Sequence, residues 1–477
     1  MAPHQAAEER LRTGVAGLDD VLGGGIPANR IYLVQGDPGA GKTTLCLQFL
    51  LEGLRQKEQG LFVSLSESRE ELEHTARSHG WSLDGIPVLE IPTDGTVGET
   101  DSTFYTPAEV ELGRRMEVLL GEVDRLRPRR LVLDSCSELR LLAESPLRYR
   151  RQILALKHRM AQLRCTILLI DNPEPGVPDM LLQSLVHGVL TLEQLSPIYG
   201  AERRRLRISK LRGIRYRGGY HDFTVRTGGL EIYPRLVAAE HRGPSERGTV
   251  ASGVPGLDAL LGGGPARGTS LLLAGPSGSG KSVVATAYAV AAAGRGEHVA
   301  VFGFDESTAM FRARAAGLGL DLAGHLEAGR ITHRQIDPAE LSPGEFSHAV
   351  RHQAEAKGAT VIVVDSLNGY LNAMPEERFL ALQLHELLMY LGQRGVLTVL
   401  TVAQSGLSGP VGDSPVDVSY LADAVLLFRN AARGAELAKT VSAVKKRSGP
   451  HASTAHELQL SARGVSVGPA LGEAERP

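Results

Sequence analysis

Eight short apolar runs, four in each half of the chain, set the frame. In the first half they are Ile31 to Gln35, Leu61 to Leu65, Leu131 to Asp134 and Thr166 to Ile170. In the second they are Ser270 to Ala274, Val299 to Phe304, Val361 to Asp365 and Leu397 to Val402. All are rich in Val, Ile and Leu with little polar alternation, which suits strands covered on both faces. Longer stretches of helical periodicity separate them, and strands alternating with helices build a mainly parallel sheet. The pattern predicts an α/β fold with two tandem domains, each a mainly parallel sheet flanked by helices.

The halves are copies. Thr13 to Thr44 reappears without a gap as Ser252 to Val283, and Lys42 and Lys281 stand 239 positions apart. Glu67 and Glu306 keep that offset, whereas Asp134 and Asp365 stand 231 apart, so a short deletion separates the copies downstream. Residues 234–250 are polar and punctuated by Pro and Gly, which reads as a linker. The expected domains are 1–240 and 241–477.

Each half carries one G-x4-G-K-S/T motif directly after a strand-like run and before a helical one: Gly36, Gly39, Ala40, Gly41, Lys42 and Thr43 in the first, Gly275, Gly278, Ser279, Gly280, Lys281 and Ser282 in the second. A polyphosphate needs backbone N–H groups converging on it, and glycines allow that approach while the next helix aims its N-terminus at the charge. Lys42 and Lys281 are placed to meet the outer phosphates and the Thr43 and Ser282 hydroxyls to ligate magnesium. Asp134 and Asp365, each closing an apolar run, are the matching metal-side carboxylates. ATP and Mg2+ are the cofactors expected.

Hydrolysis also needs a carboxylate at the attacking water, and the strand ends beside the phosphate loops offer Glu67 in the first half and Asp305 and Glu306 in the second. The same segments read as helix starts, with Ser66 or Asp305 as the cap.

Composition narrows the class further. A formal charge of -2 and a pI near 6.8 supply no basic field, which argues against nucleic acid as the main partner. The Arg203-Arg204-Arg205 run reads as a solvated edge. Three cysteines are too few for a disulfide framework, neither a signal peptide nor a membrane-spanning run is present, and a reducing cytoplasm is the expected setting.

With the TGVAGLD opening, both phosphate loops, Ala76 to Trp81, the SKLRG segment and Asp337 to Gly344, nearly the whole chain resembles the KaiC family of clock ATPases within the RecA superfamily. That resemblance implies a homo-hexameric ring with ATP at subunit interfaces. It implies that Lys210, Leu211 and Arg212 of one subunit, and Lys445 and Arg447 in the second domain, complete a neighbour's site. Ser78 falls where the family contacts nucleotide; Gly317 and Leu318 stand at the matching place in the second domain. Adjacent glutamates in the family correspond to Ser66-Glu67 and Asp305-Glu306 here, so the first domain lacks the leading acid. The family's self-phosphorylated pair corresponds to Ser419 and Tyr420, making Ser419 the candidate phosphosite. The chain stops soon after its last strand-like stretch, so control by a tail-binding partner is not expected.

Three readings stay open: a KaiC-like ATPase ring, with or without self-phosphorylation, that reports nucleotide state to a signalling partner protein; a recombinase-type DNA-handling ATPase; and an ATP-dependent scaffold whose first domain is inactive.

Overall fold

The computed structural model describes residues 9–91, 107–172, 180–241, 248–372, 379–403, 419–433 and 436–471. The chain divides into two compact units, Met1–Arg235 and Leu236–Pro477. All eight apolar runs are strands.

In the first unit the strands of the large sheet are β1 (Ile31–Gly36), β2 (Gly60–Ser64), β3 (Val88–Glu90), β4 (Arg130–Asp134), β5 (Thr166–Asp171), β6 (Gly188–Leu195), β7 (Arg203–Leu211), β8 (Tyr220–Arg226) and β9 (Gly229–Tyr233). They lie in the order β9-β8-β7-β6-β1-β5-β4-β2-β3. From β3 to β6 neighbouring strands run parallel; β6 to β9 are antiparallel. The second unit repeats this with β10 (Ser270–Gly275), β11 (His298–Gly303), β12 (Ile331–Gln335), β13 (Ala359–Asp365), β14 (Leu397–Ala403), β15 (Ala424–Arg433), β16 (Glu436–Lys446), β17 (Ala455–Ser461) and β18 (Gly464–Ala470), in the order β18-β17-β16-β15-β10-β14-β13-β11-β12. Again the sheet is parallel up to β15 and antiparallel beyond it.

Both faces of each sheet are covered, which is why the runs lack alternation. Successive residues of β1 point to opposite sides: Tyr32 and Val34 join one apolar cluster, Ile31 and Leu33 another. In β10, Leu271 and Leu273 separate in the same way from Leu272 and Ala274. Among the described residues no helix is long and apolar enough to cross a membrane.

The arginine run is not an edge. Arg203–Leu211 is β7, paired on both sides by β6 and β8. Arg205 bonds Glu193 at 2.8 Å and lies 4.2 Å from the Tyr220 ring centroid, so its charge is neutralised across the strands.

His221, on β8, is fully buried. Its Nδ1 accepts the Arg235 N–H at 2.9 Å, so its one proton sits on Nε2 and is donated to the Arg217 carbonyl at 2.9 Å. A second proton would face an N–H, and burial with this lining pushes the imidazole down to about 4 from an ordinary 6.5. Between those values the unfolded chain binds the proton and the folded one does not, so stability falls as pH drops through that window. At pH 5 the loss is expected to be about 2 kcal/mol relative to pH 7. Denaturant unfolding of wild type and His221→Gln at both pH values checks it: the variant should lose about 2 kcal/mol less on acidification.

Candidate functional site

Each phosphate loop sits where the sheet's geometry calls for it, between the end of the central strand and a long helix. The helices Lys42–Arg55 and Lys281–Gly294 begin immediately after Gly41 and Gly280, both left-handed at φ 96° and 104°. Gly36 is required by close approach: a Cβ there would lie 1.9 Å from the Leu192 carbonyl oxygen. At Gly275 the equivalent clash is with the Phe428 oxygen at 2.3 Å. Ala40 and Ser279 are buried within their loops, and their N–H groups bond the Asp37 and Pro276 carbonyls at 3.2 and 3.3 Å.

The two lysines curl onto their own loops in the same way. Lys42 Nζ donates to the carbonyls of Gly36 at 2.8 Å and Asp37 at 2.7 Å; Lys281 Nζ donates to Gly275 at 2.8 Å and Pro276 at 2.7 Å. Burial lowers both ammonium groups, Lys281 to about 8 although Asp365 opposes the shift. Such a cation, partly stripped of water, gains a strong partner when phosphate arrives.

Beside each lysine a hydroxyl and the strand-end carboxylate are brought together. Thr43 Oγ1 donates to Asp134 Oδ2 at 3.2 Å, and Ser282 Oγ to Asp365 Oδ1 at 3.1 Å. Asp134 is pushed up to about 6 by burial and by Glu67, against the pull of Thr43 and Lys42. These are hard oxygen donors, and among the described residues no cluster of three or more acidic, His or Cys side chains forms a metal cage. One hydroxyl and one carboxylate suit Mg2+, which takes few protein ligands and keeps water and phosphate oxygens around it.

In the first unit these groups line a cavity of about 370 Å³ that holds Gly39, Gly41, Lys42, Thr43, Glu67 and Asp134. Ser66, singled out in the sequence at the leading-acid position, lines it too, as do Thr75 and Asn172, which sequence reasoning missed because neither belongs to a motif. In the second unit Thr401 Oγ1 donates to Asp365 Oδ1 at 2.5 Å, a contact with no counterpart in the first, where that register position on β5 is Ile170.

The acidic segments lie outside the helices that follow. Ser68 and Ser307, not Ser66 or Asp305, are the caps: Ser68 forms a reciprocal box with Glu71, and the Ser307 side chain accepts the Met310 N–H. The cap falls two residues later than expected because the Ser68-to-Glu71 spacing satisfies both partners. Glu67 and Glu306 are therefore on the connecting loops, half-buried, while Asp305 is exposed. Burial and the nearby Glu71 raise the Glu67 carboxyl.

Other expected residues sit apart from these centres. Ser78, the last residue of the helix Arg69–Ser78, donates its hydroxyl to the Thr75 carbonyl at 2.7 Å and is not among the cavity's lining. Lys210, Leu211 and Arg212 lie at the far end of the sheet from their own phosphate loop. Leu211 pairs with Gly188 and Gly188 with Tyr32, near the start of β1, whereas the loop follows Gly36 at its other end. Four strand residues separate the levels, roughly 13 Å. Lys210 Nζ caps the Gln183 carbonyl at 2.5 Å and Arg212 the Ser184 carbonyl at 3.3 Å. In the second unit β16 likewise brings Lys446 level with Ala424, and Ala424 with Leu271 near the start of β10, so Lys445 and Arg447 also stand away from Gly275. Arg447 donates to Asp423 Oδ1 at 3.3 Å and the Tyr420 carbonyl at 3.0 Å. Ser419 opens the short 3-10 turn Ser419–Leu421; its side chain lies outside the described residues.

Comparison with known proteins agrees with this geometry. The pattern defining the ATPase family KaiC matches residues 11–237 and again 250–472. Circadian clock oscillator protein KaiC of Synechococcus elongatus is 25% identical over 99% of this chain and 91% of its own length. The protein of the same name from Parasynechococcus marenigrum is 25% identical over 99% and 93%, and that from Picosynechococcus sp. 24% over 98% and 91%. With two matched copies, two duplicated phosphate loops and two sheets of identical strand order, the chain is a member of the KaiC family of ATPases, built from tandem RecA-like domains.

Proposed function

We propose that both domains bind and hydrolyse Mg·ATP, and that they do so in a ring of like subunits. The observation that carries it is the paired construction: in each domain a lysine folded onto the loop carbonyls beside a hydroxyl–carboxylate pair, from residues 239 and 231 positions apart. The glycine-rich backbone holds the phosphates, Lys42 and Lys281 neutralise the outer ones, and Thr43 with Asp134, and Ser282 with Asp365, hold the metal. When bound, Mg2+ draws charge from the phosphate oxygens. A carboxylate beside the loop orients the attacking water and accepts its proton, while the bond from the γ-phosphorus to the bridging oxygen breaks and its electron pair leaves with ADP.

The sheet register supports the ring. Lys210 and Arg212 stand about 13 Å along the strands from their own loop, which fits cations offered to a neighbouring chain's phosphates rather than to their own. Native mass measurement with and without ATP, with calorimetry of Mg·ATP uptake and phosphate-release assays, tests the reading. Two nucleotides per chain, a closed oligomer and phosphate release are expected; a folded protein that takes up no nucleotide at either loop rejects it.

A secondary reading concerns self-phosphorylation. Ser419 opens the turn whose Tyr420 carbonyl accepts from Arg447, which ties the acceptor position to a cation assigned here to phosphate. Phosphopeptide mapping after incubation with ATP should place the modification on Ser419; an unmodified peptide rejects the kinase role. Ring conformation would then report nucleotide state to a signalling partner.

A further inference from the structure

The duplication supplies an internal comparison at the water-activating position. In the second domain Glu306 is held through three contacts by one guanidinium: Arg314 Nε lies 3.1 and 3.2 Å from its two carboxylate oxygens and Nη2 2.7 Å from Oε2. Arg314 is itself fixed, with Nη1 3.3 Å from Thr286 Oγ1 and its guanidinium 5.4 Å from the Phe311 ring centroid. Such a forked, charge-assisted contact locks a carboxylate and occupies its lone pairs. Asp305, one residue earlier, turns elsewhere: its Oδ2 accepts the Ser366 hydroxyl at 2.5 Å, directly beside the metal-side Asp365.

At the offset of 239, the first domain carries Thr75 where the second has Arg314, and Ser66 where it has Asp305. Thr75, too short to reach across, lines the cavity beside Glu67. Glu67 has no side-chain hydrogen bond or ion pair among the described residues, and its neighbourhood to Asp134 puts it at the reacting end of the site. Ser135, the counterpart of Ser366, is 2.6 Å from Ser137 Oγ instead. The two domains thus differ at both positions.

We propose that residues 75 and 314 select the working carboxylate: Thr75 leaves Glu67 to serve the water in the first site, and Arg314 sequesters Glu306 so that Asp305 serves it in the second. This rests on the hydrolysis reading above. The selected carboxylate takes the proton that water loses as its oxygen bonds the γ-phosphorus and ADP departs. Arg314 is a positioning residue, acting only through Glu306. The missing leading acid of the first domain is thereby compensated, and both domains turn over.

The test transplants the clamp in both directions. With the second site silenced by Lys281→Ala, Thr75→Arg should lower kcat about 10- to 100-fold while the folded variant still takes up Mg·ADP. Thr75→Met, longer than Thr but uncharged, should remain at least about fivefold more active than Thr75→Arg. With the first site silenced by Lys42→Ala, Asp305→Asn should lose about 10²-fold or more, and adding Arg314→Thr should restore at least about tenfold by freeing Glu306. Equal losses from Thr75→Arg and Thr75→Met, or no recovery in the double variant, overturn the proposal. A parent that binds nucleotide without any turnover rejects the hydrolysis reading instead. Melting temperatures of Glu306→Gln, Arg314→Thr and their combination then decide the clamp: non-additive shifts support it and additive shifts overturn it.

Discussion

Arg212→Ala is expected to lower turnover at the first site by about 10³- to 10⁵-fold, and Arg447→Ala to do the same at the second. Charge builds on the transferring phosphoryl group, and a guanidinium brought in from a neighbour meets it with donors already oriented. In the isolated chain Arg212 spends those donors on the Ser184 carbonyl, a neutral acceptor at a helix end, so moving to phosphate costs it little. The decisive measurement is complementation. Subunits carrying Arg212→Ala keep their own nucleotide loop, and subunits carrying Lys42→Ala keep their arginine. With both second sites silenced, mixing the two inactive preparations should regenerate activity at mixed interfaces, toward about a quarter of that of the parent silenced only at its second site if subunits assort at random. Mixing that restores nothing, or Arg212→Ala that leaves turnover intact, removes the neighbour's contribution from the mechanism.

The second large effect belongs to the loop lysines. Lys42→Ala should cost the first site about 10²- to 10³-fold in turnover and weaken nucleotide binding there, with the second site still active; Lys281→Ala should do the reverse. Each lysine is buried against two loop carbonyls and partly stripped of water, so its removal leaves those acceptors and the incoming phosphates without a positive partner. Phosphate release from each single variant and from the pair checks this. If Lys42→Ala leaves all turnover in place, the first domain binds ATP as a scaffold only.

Much of this was legible in the chain because the features concerned are local. A strand buried on both faces must be apolar at successive positions, so β1, β4, β10 and β13 announced themselves. The loops were legible because Gly36 and Gly275 tolerate no side chain against the neighbouring strand. The antiparallel strands beyond β6 and β15 were not foreseen as part of the sheet. There polar and apolar residues alternate, and Arg203 to Arg205 resemble an edge until Glu193 and Tyr220 arrive from the flanking strands. The cap was misplaced because Ser66, Ser68 and Ser307 all have the chemistry, and only the Glu71 box distinguishes Ser68. Arg314 was invisible because its importance depends on the partner it meets, eight residues back along the chain, rather than on any motif.

The strand register that sets Lys210 and Arg212 level with Tyr32 has an outcome at the scale of solutions. If each centre needs parts from two chains, a solitary molecule owns four halves and no whole. Specific activity should then collapse below a threshold dilution along a curve steeper than first order, and stoichiometric crowding of chains, more than substrate supply, would act as the throttle on ATP consumption.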